Sequence, residues 1–595
     1  MNYEQLVQSV IGDTEQSLGK FLPELILCGT ILFMLFSRLF KLTRKLLPAW
    51  FLAGLGVGCA FVLAEPWEFL AQGVPLERTE IFTGMLVHDA FTVYFRAILL
   101  FTTFIFIVLA RISRLADQEN GPDFYTLVLG AALGMCLMAE ANHLLVVFLA
   151  IEMASLPSYT LAGILKGNRK SSEASMKYAV YGAGAAGVML YGTSLIAGIT
   201  GSAHIPTIAW RLAEGIGTDY QLVLVLSGLM MLVGLAFKLS AVPFHFWCPD
   251  VFEGASAEVA GFLSVASKAA ALALLVRLAV GFAAPPAEEP VPFGSAQSHA
   301  MAHAPAHAPP LGMRQLPPAS LPSLPSLPSI DQIRSVAYDQ AVAEHQFINE
   351  HSGSPESGQA EMIRVAEMRT FLAWVIGVLA AVTCTFGNLA AYGQTNIKRL
   401  LAYSTIAHAG YMMMPIAAGL AMMTHHPIAA SEAFAALLLY VLIYVFMNMG
   451  AFGIIAFVRN AIGSEEISDY AGLVRSSPGW VVCFSAILFS LIGLPPLAGF
   501  MGKLVIFASL VDAGMYWLLF IGGVNTAISL FYYLKVVRVM TFDPEPEGRP
   551  PLRLRFVSLP GLFTMLMTAP VFLLIIQWNG FYQWAEAACR TVVGN

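Results

Sequence analysis

The chain alternates long apolar blocks with short polar connections, many of them basic. A helix needs roughly 20 mostly apolar residues to cross about 30 Å of hydrocarbon, so such blocks can be counted as spans. About fourteen are found, at 21–36, 48–66, 90–112, 122–139, 142–165, 174–199, 221–247, 255–283, 367–392, 399–421, 431–458, 480–501, 504–540 and 557–577. The predicted class is an all-α polytopic membrane protein. The block starting at 504 is over-long and is expected to include an interfacial piece.

Lys and Arg collect on the cytoplasmic side of a membrane and so orient the spans. Arg38, Lys41, Arg44 and Lys45 follow the first span, Lys166, Arg169 and Lys170 the fifth, and Lys398 and Arg399 the ninth. Every odd-numbered span ends in positive charge, so both termini are expected outside. The first twenty residues lack a basic n-region and a small-residue cleavage site, and the first span is expected to be retained. Composition agrees: 57% of the 595 residues are hydrophobic and 12% charged, against about 25% charged in average soluble domains. Seven scattered cysteines form no CxxC pair, which gives no support for an iron–sulfur cluster or structural zinc. Neither GxGxxG after a strand nor GxxxxGK[ST] occurs, so no nucleotide site is read in the chain, and no nucleic-acid partner is expected.

Residues 284–366 break the pattern with a Pro-, Ala-, His- and Ser-rich stretch too poor in aliphatics to pack a core. It is expected to be a largely disordered outer-side insertion, partly helical from Ser329 to Arg369. His299, His303 and His307 have metal-binding side chains, but such spacing in a Pro/Ala tract is more often incidental.

Ionisable side chains at mid-membrane cost at least about 2.5–3.5 kcal/mol, so each asks for a partner or a hydrated path. Glu152 lies in FLAIEMASLPSYT of the fifth span, Lys238 deep in the seventh, and Lys268 in SVASKAAALALL of the eighth. His408 lies in AYSTIAHAGY of the tenth, Lys503 follows GLPPLAGFMG, and Lys177 stands at the cytoplasmic start of the sixth. Lys177 can snorkel to the headgroups. A neutral histidine hydrogen-bonded in a bundle is the plain alternative for His408, and a structural ion pair the alternative for Glu152, Lys238 and Lys268.

Prolines sharpen the functional reading. Pro243 clashes with the carbonyl of Leu239 and should break the seventh helix beside Lys238; Pro495 and Pro496 do the same to the carbonyls of Leu491 and Ile492, near Lys503. Two Pro-interrupted, lysine-bearing spans five apart point to inverted repeats around an ion pathway. Burial disfavours the charged form of a lysine and a nearby carboxylate favours it, so Lys238 at a broken helix can load and release a proton. His245 and Asp250 follow the break without a nucleophile, metal cluster or phosphate loop, and are expected to shape it, with Phe244, Phe246 and Trp247 anchoring it near protein neighbours.

The runs AFKLSAVPFHFWCPDVFEGA, FLSVASKAAALALLVRL, GNLAAYGQTNIKRLLAYSTIAHAGY and IEMASLPSY resemble the antiporter-like membrane subunits of respiratory complex I. The likeness covers most of residues 120 to 540 apart from the insertion, which departs from the family pattern. It implies fourteen helices, two inverted five-helix repeats and discontinuous seventh and twelfth helices. The implied organisation is helices 1–3 over 1–121, a first repeat over 122–283, the insertion 284–366, a second repeat over 367–540, and a cytoplasmic loop and last helix over 541–595. Glu152, Lys177, Lys238, Lys268 and Lys503 match motif positions of a water-linked proton-translocation chain. Lys503 and His408 favour the subunit N branch over relatives that carry glutamate or glutamine there. The implied setting is a bacterial inner membrane. The chain would carry no redox centre; NADH, FMN, iron–sulfur clusters and quinone would be handled by partner subunits, and its own partners would be other complex I membrane subunits, the lipid bilayer and, through the complex, the quinone pool. A cation/proton antiporter or membrane-bound hydrogenase subunit of the same fold, and a non-pumping membrane scaffold, are the competing readings.

Overall fold

In a computed structural model the described residues are 3–38, 47–63, 76–116, 121–165, 167–217, 220–285, 355–547 and 555–593. They are almost wholly helical, with one antiparallel hairpin of β1 (Thr79–Ile81) and β2 (Leu86–His88). Apolar sequence adopts helix here because hydrocarbon offers backbone N–H and C=O groups no other partner. The helices run α1 (Tyr3–Lys20), α2 (Leu22–Ser37), α3 (Ala49–Val62), α4 (Ala90–Ser113), α5 (Gly121–Glu140), α6 (Leu144–Ala162), α7 (Arg169–Thr200), α8 (Ile205–Glu214), α9 (Gln221–Leu239) and α10 (Trp247–Gly254). They continue as α11 (Ala257–Ala283), α12 (Pro355–Ala391), α13 (Ile397–Met422), α14 (Pro427–Ile462), α15 (Pro478–Ile492), α16 (Ala498–Asp512), α17 (Tyr516–Thr541), α18 (Leu559–Leu573) and α19 (Trp578–Val593).

Among the described residues ten helices are long and apolar enough to cross a membrane, or twelve if each sharply bent pair counts as one span. Two further predicted spans appear as the shorter apolar helices α3 and α15. The blocks 480–501 and 504–540 are partitioned differently from expectation. α15 ends at Ile492, α16 carries Lys503, and Gly514 at φ +66° separates α16 from α17. The over-long block was thus half of a broken helix followed by a complete span. α1 meets α2 at 82°, and α18 meets α19 at 84°. Neither α1 nor α19 was expected; α19 docks Ala585, Ala588 and Cys589 inside the protein, with Trp584 4.4 Å from Tyr94.

Most of the insertion lies outside the described residues, including His299, His303 and His307. The second half nevertheless starts earlier than 367, because α12 begins at Pro355 and buries Val365. The sequence EMIRVAEM supplies good helix formers and continues the turn of the span that follows.

The two halves repeat at a constant spacing of 253 residues. His143 and Asn396 cap α6 and α13 (143 to 396), and Gly134 and Gly387 allow the neighbouring helix to cross in contact with backbone (134 to 387). Ser240 and Gly493 end the broken helices with positive φ (240 to 493), and Pro243 and Pro496 follow cis peptide bonds (243 to 496). α11, α13 and α14 lie at the centre: the most apolar stretch of each is buried to 100%, 94% and 94%, against 33% for α7 and α17. Charges on the central helices are therefore enclosed by protein, not lipid.

Candidate functional site

α9 stops one residue after Lys238. Its last carbonyls are taken up locally: Ser240 N donates to Phe237 O at 3.0 Å, Ala241 N to Ala236 O at 2.7 Å, and the Trp247 indole to Phe237 O at 2.9 Å. Trp247 stacks on Tyr178 at 4.2 Å, and Val242 N donates to Thr383 Oγ1 at 3.1 Å, so the break is tied to both halves. Phe244 packs partly against the core, while Phe246 is exposed on the surface of this chain. His245 is buried against Phe386 at 4.3 Å.

Lys238 is 1% exposed and its Nζ has no hydrogen-bond partner. Glu152, half-buried on α6, is the acid within electrostatic range, without a direct ion pair. On α11 a π turn over Leu263–Ser267 immediately precedes Lys268, a distortion frequent at functional sites. Lys268 is also buried with no partner for its Nζ.

His408 stands within electrostatic reach of both Lys268 and Lys503. Its Nδ1 lies 2.8 Å from Tyr440 Oη and its Nε2 3.3 Å from Tyr533 Oη, which in turn bonds Ser404 Oγ. An imidazole between two phenols can accept at one nitrogen and donate at the other, the requirement for relaying a proton. Lys503 donates to Ile492 O at 2.9 Å, one of the carbonyls that Pro496 denies an intrahelical partner, and its ammonium lies 4.4 Å from the Tyr411 ring centre. The structure thus brings Glu152 and Lys238 into range of each other, and His408 into electrostatic range of both Lys268 and Lys503.

Lys177 sits elsewhere, one-third exposed and paired with Asp250 at 2.8 Å and Glu173 at 2.9 Å. Asp250 also accepts from Arg399 at 2.7 Å, and Glu253 accepts from Arg399 at 3.0 Å and Lys170 at 3.2 Å. Burial works to raise the Asp250 pKa, but bonds from Lys177 and Arg399 outweigh it and hold the carboxyl below the ordinary range. Asp250 joins the second half-helix of the first repeat to the start of α13.

Sequence reading missed three further buried ion clusters. Arg96 on α4 meets Glu24 and Glu140 at 3.3 and 3.4 Å; Arg277 on α11 makes a two-pronged pair with Asp89; Arg459 on α14 meets Glu258 at 3.2 Å. The signal lay in AFTVYFRAILL and LLVRLAV, each with an arginine inside an apolar run. Their acids sit at helix ends, where a charge needs no explanation until the fold buries it. Among the described residues no three His, Cys, Asp or Glu side chains are grouped as for a metal.

A helical membrane protein with paired broken helices and an enclosed line of ionisable side chains is antiporter-like in class. The family model described as NADH:quinone oxidoreductase/Mrp antiporter, TM, matches residues 141–302 and 359–529. The chain belongs to this family, and its curated relatives include subunits N of NADH-quinone oxidoreductase. That of Anaeromyxobacter sp. (strain Fw109-5) is 34% identical over 96% of this chain and 97% of its own length. That of Desulfitobacterium hafniense is 34% identical over 82% of each. A chain of respiratory complex I from Thermus thermophilus superposes with TM-score 0.63 at 26% identity, covering 94% of this chain and 97% of its own. One from the archaeal membrane-bound sulfane sulfur reductase reaches 0.68 at 17% identity, over 97% of each, a likeness of fold.

Proposed function

We propose that this chain is subunit N of a bacterial NADH-quinone oxidoreductase, a proton-translocating membrane subunit driven by quinone reduction elsewhere in the complex. Its place is the inner membrane, with both termini outside, beside other membrane subunits of that complex. NADH, FMN, iron–sulfur clusters and quinone belong to the partner subunits and the quinone pool. The chain divides into helices 1–3 over 1–121, repeats over 122–283 and 367–540 with the second extended back to 355, the insertion between them, and a last segment from 541.

One observation carries this reading: the buried groups Lys238, Lys268, His408 and Lys503, with the half-buried Glu152, are distributed over both repeats, and the amines of Lys238 and Lys268 lack fixed partners. A lysine held by structural pairing alone would be paired. When Glu152 approaches Lys238 the ammonium is favoured, and when it withdraws the proton is released toward Lys268. His408 and its two tyrosines carry the proton on to Lys503 at the second break. Pro243, His245, Pro495 and Pro496 keep the breaks open, and the Lys177–Asp250–Arg399 cluster couples the first break to the second repeat.

The test is Lys238→Ala in bacterial membranes, with assembly read on a native gel. An assembled complex that loses proton pumping and coupled NADH-quinone turnover supports the reading. An assembled complex that pumps and turns over as before refutes it.

A further inference from the structure

Glu24, Arg96 and Glu140 come from three helices, at 0%, 1% and 1% exposure. Both Glu24 oxygens and Glu140 Oε1 converge on one nitrogen, Arg96 Nη1, at 3.3 to 3.4 Å. Glu140 Oε2 and Arg96 Nε have no partner, and the two carboxyls meet on the same guanidinium nitrogen. Two carboxylates against one guanidinium leave an excess negative charge on groups only 0–1% exposed. Other facing groups do not cancel it. Lys20 gives Arg96 only its carbonyl and commits its amine to Thr79, and Arg277 makes its bonds to Asp89 and Thr92 and reaches Glu140 only at electrostatic range. A proton between the carboxyls restores balance and supplies a donor for the orphaned oxygen.

The cluster also has a polar connection outward. Arg277, nine residues beyond Lys268 on α11 (268 to 277), donates to Ala139 O at 2.9 Å, beside Glu140. From Asp89 the groups continue through Arg78, Asn142 and Glu80 to His204, which is 3.3 Å from Glu80 and partly exposed.

We propose that Glu24, Arg96 and Glu140 form a proton-binding site separate from the lysine line, where two carboxyls share one proton and discharge it to the outer surface. Loading transfers a proton from hydronium to Glu140 or Glu24, breaking an O–H bond of the donor and forming one on the carboxyl; release breaks that bond, the proton passing to outer water and leaving the negative charge that favours reloading. The inference rests on the pumping role proposed above.

Infrared difference spectra of the whole purified complex in H2O and D2O test it, together with protons pumped per electron. Wild type should show a deuterium-sensitive protonated-carboxyl band that Glu140→Gln removes, with a lower proton-to-electron ratio. Glu24→Gln should remove the same band, because the proton is shared. A band that persists in both variants, or a ratio that stays unchanged, overturns the site. Failure of both variants to assemble also overturns it, since a site already holding a proton should accept a neutral amide. Lys238→Ala in parallel separates the failures: if it loses pumping while Glu140→Gln does not, only this site is wrong; if neither loses it, the pumping role itself fails.

Discussion

Replacing Lys238 by methionine should make the protein more stable and less active. The amine is buried without a hydrogen-bond partner, and Glu152 is in range but unpaired. A lysine at the centre of a span costs about 2.5–3.5 kcal/mol, and one unpaired carboxylate at a distance offsets part of that. Methionine keeps the unbranched stem, so no cavity opens, and a volume-conserving swap of this kind costs less than about 1.5 kcal/mol. The net expectation is a gain of about 1–3 kcal/mol, or roughly 5- to 150-fold in the local opening equilibrium. Hydrogen exchange of amides 225–239 in the purified complex reads that equilibrium directly. Protection should rise by that factor in Lys238→Met while pumping per electron falls. Lowered protection would mean that Lys238 makes favourable contacts that methionine cannot, and the reasoning would be refuted.

Arg277→Met should do the opposite, because Asp89 is fully buried and would lose its guanidinium, at about 3–5 kcal/mol; adding Asp89→Asn should restore much of the complex on a native gel after graded heating, and a further loss instead would contradict the pairing. Gly493→Ala alters no charge, yet φ is +90° and the new Cβ would sit 3.0 Å from Lys503 Cδ. With about 1–2 kcal/mol of left-handed strain, it should shift Lys503 off Ile492 O and reduce pumping; unchanged pumping would show that this contact is dispensable. For Asp250 the folded pKa is depressed, so its contribution is present at neutral pH and lost only as pH falls through that depressed value. Hydrogen exchange over 247–254 should therefore be insensitive to Asp250 protonation from about pH 8 to 5. Asp250→Asn should raise that exchange throughout; identical exchange in the variant would disprove the coupling.

Lys238 beside Pro243 and Lys503 beside the Pro495–Pro496 pair were legible because proline acts on the carbonyl four residues back, a local rule. Lys268 and His408 were legible as ionisable residues inside apolar runs. The boundary between the twelfth and thirteenth spans was not, because apolar composition continues across Gly514 and hydropathy does not register a positive φ. Lys177 was visible only as a basic residue near a span end; its bonds to Asp250 and Glu173 depend on where α10 returns after the break.

By itself, then, the chain determined most of the membrane helices and the two broken spans, though not α1, α19 or the division of residues 480–540, since hydrocarbon and proline act on short stretches irrespective of what packs beside them. Tertiary structure alone decided which charges meet. Tyr440 and Tyr533 reach His408 from helices 32 and 125 residues away, and Glu24 and Glu140 converge on Arg96 across separations of 72 and 44. Partnership between buried charges depends on distances of a few ångströms between helices, which periodicity along one helix does not encode.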